Sequence, residues 1–295
     1  LVQYKGTSAV GTLFGPVILL WFLAIGLLGI HSISRHPEIL RALNPRYAVE
    51  FLAQHGRHNF AILGSLFLVV TGAEALYADL GHFGRRAISV AWFWVVLPGL
   101  LLNYFGQGAF LLGMPASVEN LFFLLAPGWL LYPLVALATG ATIIASQAII
   151  SGAYSLASQS VHLGFWPRIQ VRHTSQSHIG QVYDPIVNWA ILAGVVFLIL
   201  FFKESGHLAA AYGIAVSAGM LVTTLLILVV ARFVWKLPLL MILPIAAVFL
   251  LIDGAFFCAN ILKLSAGGWV VVVMAIALVV LMRTWIAGRR NNQAG

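Results

Sequence analysis

Two carboxylates stand inside a stretch long and apolar enough to cross a bilayer. Within the run Phe60–Leu80, Glu74 and Asp79 follow Thr71 and Gly72. Glu74 lies roughly 14 residues into that run, roughly 21 Å along a helix rising about 1.5 Å per residue. An ionisable group near the bilayer centre costs roughly 2.5–3.5 kcal/mol on insertion scales, so a functional role is expected for Glu74. Asp79 falls nearer an interface, where proton coupling and pairing with Arg85 or Arg86 both stand open. Thr71, Glu74 and Ala78 share one helix face at i, i+3 and i+7 spacing, which would turn hydroxyl and carboxylate toward one cavity. Gly72 has a permissive backbone that can unwind locally, and broken helices in secondary transporters bind ions with the carbonyls so exposed. The plainer alternative is a Gly72 that packs against a neighbour and a Glu74 kept neutral by a hydrogen bond.

Other apolar runs carry polar residues suited to the same cavity. Asn103, Tyr104 and Gln107 occupy one; Gln147, Ser151, Tyr154 and Ser158 form a stripe on another; Tyr212 stands among Ala209, Ala210, Ala211 and Gly213. Close helix packing in lipid also selects small and hydroxyl residues, so packing competes with solute contact at each. Asp253, with Asn260 about two turns later, is expected to make a structural hydrogen bond, and Lys263 is near enough to snorkel to the interface. Catalysis finds little support, and no enzyme activity is expected. Most of the nine histidines lie in connections, including His55 and His58, which lack a third zinc ligand nearby. No phosphate-binding glycine loop is present. Only His31 lies well inside a span, a weak basis for haem. The single cysteine, Cys258, sits in an apolar run and builds no disulfide framework.

The elements that position these residues follow from composition. Of the 295 residues, 61% are hydrophobic and only 8% charged, which leaves too little polar surface for water. The expected fold is an all-α, polytopic membrane helix bundle. About 20 apolar residues span the hydrocarbon core, and about eight segments approach that length: Leu13–Ile33, Phe60–Leu80, Ile88–Leu112, Trp129–Leu156, Ile186–Phe202, Leu208–Val230, Leu237–Cys258 and Trp269–Ile286. Turns or helix ends are expected at Gly15-Pro16, Gly84 to Arg86, Asn120 to Gly128, Asp184-Pro185, Lys203 to Gly206 and Gly267-Gly268. Between the first two spans, Ile39 to Leu52 reads as a short amphipathic piece at the membrane surface, interrupted at Asn44-Pro45.

The net charge of +8 comes from bases between apolar runs rather than from patches suited to nucleic acid. With the first span running outward, Lys5, Arg85, Arg86, Arg168, Arg172, Arg232, Lys236, Arg283, Arg289 and Arg290 face the cytoplasm, as do both ends. Arg35, Arg41, Arg46 and Arg57, in one long outer connection, run against that rule. The start at Leu1 suggests an amino-terminal truncation. The membrane domain is expected over 1–290, with 291–295 opening a linker to a further cytoplasmic domain.

Four runs in order, TGAEALYADLGHFG from Thr71, LNYFGQG from Leu102, ASQAIISG from Ala145 and AAAYGIA from Ala209, resemble the Kup-type potassium uptake permeases of the amino acid–polyamine–organocation superfamily. The resemblance covers essentially the whole chain. It implies a LeuT-like fold of two inverted five-helix repeats and about twelve spans, of which these would be the fifth to twelfth, so that Phe60–Leu80 opens the second repeat. The first repeat's acidic, glycine-rich opening helices and the soluble cytoplasmic domain would lie outside this sequence.

The same resemblance implies potassium–proton symport across the plasma (inner) membrane. Potassium would be held at Thr71, Glu74 and Tyr212, with Glu74 and Asp79 in proton coupling and Gly72, Asn103, Gln147 and Ser151 lining the cavity. Carbonyls and hydroxyls suit potassium because they replace its water without gripping it, and burial that raises a carboxyl pKa lets it exchange a proton as the cation moves. No cofactor is implied beyond transported potassium and protons; the partners are those ions, the lipid bilayer and, as expected assembly, a second copy in a homodimer. Two alternatives remain: an amino acid or polyamine carrier on the same scaffold, and a non-transporting membrane subunit, haem-bearing or structural.

Overall fold

In hydrocarbon each backbone N–H and C=O must find its partner within the chain, and a continuous helix does this locally. The computed structural model describes residues 8–54, 62–72, 84–114, 120–167, 172–173 and 182–294. α1 spans Ser8–Arg35 and is followed by a 3-10 segment, Pro37–Leu43, and by α2, Pro45–Gln54. Beyond residues 62–70, treated below, come α3 (Arg85–Leu112), the single turn α4 (Leu121–Leu124) and α5 (Leu131–His162). α6 (Pro185–Phe202), α7 (Ser205–Phe233), α8 (Leu239–Ile261) and α9 (Trp269–Ala294) complete the order. Among the described residues the one β pairing is two residues long, Arg172 opposite Tyr183 and His173 opposite Val182.

Seven described helices are long and apolar enough to cross a membrane, which makes this a multi-pass α-helical membrane protein. The eighth expected span, Phe60–Leu80, falls only partly within the described residues. Most large apolar side chains face outward, Leu240 at 86% and Trp94 at 80% exposure among them. Outward apolar surface of this extent suits lipid rather than water.

Local chemistry accounts for the helix ends. Asp184 caps α6, its Oδ1 accepting from the N–H groups of Ile186 at 2.8 Å and Val187 at 3.2 Å, while Pro185 takes the first-turn position that needs no N–H. Asn44 is extended and separates the 3-10 segment from α2, as the Asn44-Pro45 pair suggests. Gly84 at φ +77 precedes α3, and Gly267 at φ +144 kinks the junction between α8 and α9. One expectation is corrected. Gly15-Pro16 does not end a helix: α1 runs through Pro16, since a transmembrane helix tolerates the loss of one hydrogen bond. α9 stays helical to Ala294, with Arg289 and Arg290 near the negative end of its dipole.

The chain divides into two compact units. One gathers the described residues up to Ala48, from Gly84 to Ser160 and on to Asn188; the other holds Val49 to Gly72, Val161–Pro167 and the chain from Trp189. In the first, α1 and α3 touch backbone to backbone. A Cβ on Gly29 would lie 2.1 Å from the Leu102 carbonyl oxygen, and one on Gly106 would lie 2.4 Å from the Gly29 Cα. Lipid tails are as apolar as leucine, so helix association in a membrane relies on such close packing. Beside this seam Leu28, Leu125 and Leu134 form a small core with Trp21, Phe110 and Phe122 packed on it.

Gly29→Val is therefore expected to destabilise the protein in detergent by at least about 1–3 kcal/mol, the usual cost of overpacking. Gly194→Ala on α6, where a Cβ meets nothing within 4 Å, should stay within about 0.5 kcal/mol of the parent. Thermal melting of the two variants side by side checks the difference.

Candidate ion site

The second expected span begins as a helix at 62–66, tightens into the 3-10 turn Phe67–Val70 and then leaves helical geometry. Thr71 is extended, at φ −84° and ψ 171°, and Gly72 adopts φ +106°. Glycine enters that left-handed region at little steric cost, whereas an L side chain would be strained there. The Thr71 hydroxyl donates to the Leu68 carbonyl at 2.8 Å and closes the last turn. Its proton is thus committed locally, and its lone pairs remain as acceptors. The local unwinding expected at Thr71-Gly72 is present. Glu74, Ala78 and Asp79 lie outside the described residues.

Neighbouring helices of the same unit hold this break. Phe67 is fully buried, its ring 5.1 Å from that of Phe256 on α8. Gly64 lies against the α8 backbone, where a Cβ would be 3.1 Å from the Ala259 carbonyl oxygen. Asn260, 1% exposed, wedges its Oδ1 toward Gly213 of α7, 2.5 Å from where a Cβ would stand, and donates through Nδ2 to the Phe256 carbonyl at 3.0 Å. That Oδ1 has no hydrogen-bond partner among the described residues. Ser217 donates to the Gly213 carbonyl at 2.7 Å, and the Lys263 ammonium donates to the Ser65 hydroxyl at 2.7 Å. Two glycines and one asparagine thus let α7, α8 and the 62–70 segment meet closely.

The remaining sequence-predicted residues divide between the two units. Tyr212 is 41% exposed on α7, while Ala210, Ala211, Gly213 and Ile214 beside it are buried. Asn103, Gln147 and Ser151 belong to the first unit. Asn103 is buried, and its Oδ1 is unpartnered among the described residues. Gln147 donates to the Ser151 hydroxyl at 3.4 Å, and the buried Tyr154 further along that stripe donates to Asn188 Oδ1 at 2.7 Å.

Asp253 is 4% exposed and accepts a 2.5 Å hydrogen bond from the Thr224 hydroxyl of α7. The structural hydrogen bond expected for it is present, while Lys263 turns to Ser65. Sequence reasoning missed Thr224 as the donor, and missed Gly64 and Gly213 as the seat for Asn260. The signal at Asn260 was its being the one amide within that apolar run.

The fold defines a polytopic membrane protein in which the described part of one apolar stretch leaves helical geometry at Thr71 and Gly72. Comparison with known proteins narrows this: residues 1–290 match the family described as K+ potassium transporter integral membrane domain, and the chain belongs to that family. Probable potassium transport system protein Kup 2 of Chromobacterium violaceum is 57% identical over 289 residues, covering 98% of this chain and 46% of its own length. Probable potassium transport system protein Kup of Pseudomonas putida strain KT2440 is 54% identical over 290 residues, with 98% and 46% covered. The Kup protein of Cupriavidus pinatubonensis is 53% identical over 294 residues, with 100% and 46% covered. The chain therefore spans about half the length of the curated relatives it matches. No solved structure matches it.

Thr224→Val keeps the shape of the side chain but removes the donor to Asp253. Stability is expected to fall by about 1 kcal/mol, within the range for hydrogen bonds between membrane helices, with Thr224→Ser retaining most of it. Thermal melting in one detergent reads the pair.

Proposed function

We propose that the chain works in secondary active potassium uptake, with protons as the coupled ion, in a protein as long as its relatives. The observation that carries this reading is the backbone opening at Thr71 and Gly72 inside an otherwise apolar run. Carbonyl and hydroxyl oxygens turned out of helical register at membrane depth suit a weakly hydrated monovalent cation, which such oxygens coordinate without gripping it. The relatives' names, each a probable potassium transport protein, support potassium as that cation.

In this mechanism Thr71 supplies oxygen to the ion while its O–H stays on Leu68, and Tyr212 contributes its phenol. Glu74 takes a proton from the outer side as the cation binds and gives it up on the cytoplasmic side as the cation leaves, so that proton and potassium move inward together and the carboxyl is neutral while the cation shares its low-dielectric pocket. Asp79 relays that proton toward the interface. Gly72 provides the bend, and Asn103, Gln147 and Ser151 line the path. The host membrane is the plasma (inner) membrane with both chain ends cytoplasmic, a placement supported by the distribution of Lys and Arg between the spans. Two copies associate as a homodimer.

Rubidium uptake by a potassium-uptake-deficient bacterium expressing the protein at its relatives' length tests the proposal. Glu74→Gln should abolish proton-linked accumulation and leave membrane insertion unchanged. Gly72→Val, which forces a branched side chain into strained backbone at about 1–3 kcal/mol, should lower uptake by at least about fivefold. Wild-type uptake with an unaltered pH profile in Glu74→Gln would remove that carboxylate from the mechanism.

A further inference from the structure

Where α1 leaves the apolar layer, a cavity of about 280 Å³ opens between its last turn and the end of α3, lined among others by His31, Ser32, Arg35, His36, Phe110 and Leu125. It lies wholly within the first unit. Spacing along α1 organises it: His31 and Arg35 are one turn apart on one face, and Ser32 and His36 are one turn apart on the next. The His36 ring lies on the α3 backbone, its Nε2 2.6 Å from where a Cβ on Gly113 would stand, so the glycine is what admits the ring. Arg35 is the permanent cation lining the cavity, and the His31 and His36 rings add nitrogen donors. The carboxylate beside them is Glu38, 4.0 Å from His36 and largely exposed, and Arg35 has no ion-pair partner among the described residues.

Depth adds a second constraint. The apolar stretch of α1 that is long enough to cross a membrane, Leu13–Arg35, ends at this turn, and the ends of such spans meet lipid headgroups. Below it, on the same stripe as His31 and Arg35 at four-residue intervals, Leu23 and Leu27 are 52% and 66% exposed. An arginine and two ring nitrogens above a bare apolar track suit an amphiphile with an anionic head. The volume, room for roughly nine waters, admits a phosphodiester.

We propose that this cavity binds the phosphate of an anionic phospholipid. The Arg35 guanidinium forks onto the phosphate oxygens, His31 and Ser32 supply further hydrogen bonds, and an acyl chain lies along Leu27 and Leu23.

The test measures phosphatidylglycerol bound by the purified full-length protein, in competition with phosphatidylcholine, by native mass spectrometry and by the melting shift the lipid produces. Wild type should prefer phosphatidylglycerol. Arg35→Gln should weaken that preference about tenfold or more, and Arg35→Lys, which keeps the charge but not the fork, should fall between. Arg283→Gln on α9 should leave it unchanged, and size-exclusion profiles confirm that each variant is folded. Equal binding by wild type and Arg35→Gln overturns the proposal, as does an equal loss in Arg283→Gln, which would mean unspecific attraction to charge. Inorganic phosphate reproducing the melting shift would also overturn it, since the site would then take a free anion rather than a lipid.

Discussion

A peptide group surrounded by hydrocarbon has no water to bond, so leaving a helix inside the membrane exposes N–H and C=O groups at a cost of several kcal/mol each. Under this constraint the seven long helices continue even across Pro16 and Pro244. The same constraint gives meaning to Thr71 and Gly72, where the chain turns away from helical geometry within an apolar run. Thr71 bonds back to Leu68 and Gly72 accepts a backbone that no other residue type adopts freely, so the opening has a local chemical basis.

Close packing keeps that opening in register. Gly64, Gly213 and Asn260 bring the 62–70 segment, α7 and α8 into contact at distances a larger residue would forbid. Phe67, buried against Phe256, anchors the turn one step before it opens. In the other unit Gly29 and Gly106 do the same for α1 and α3. Both seams use small residues because, without a hydrophobic driving force between helices in lipid, contact area and hydrogen bonds are what remain.

Much of this architecture is legible in the sequence because bilayer thickness converts apolar length into spans. α3, α6 and α8 lie close to where length and punctuation put them, and Asp184-Pro185 marks a helix start for a reason visible in two residues. Pro16 misled, since proline stops a helix in water more reliably than in a bundle. Pairings distant in sequence left no trace: nothing near Asp253 identifies Thr224, 29 positions away, as its donor, and nothing near Arg35 indicates that the end of α3 completes a cavity around it. At the candidate site, the break at Gly72 could be read directly from a glycine beside a threonine in an apolar run. Glu74 and Asp79 lie outside the described residues, and their part rests on the cost of burying a carboxylate.

The central claim, that the opening at Thr71 and Gly72 holds the transported cation, is tested most directly by locating the ion. Anomalous diffraction from crystals of the full-length protein grown in rubidium should give a peak within coordination distance of the Thr71 hydroxyl and the Gly72 backbone, displaced when sodium replaces rubidium. A rubidium peak elsewhere in the membrane domain, with that backbone filled by a packed side chain or lipid, would contradict the account.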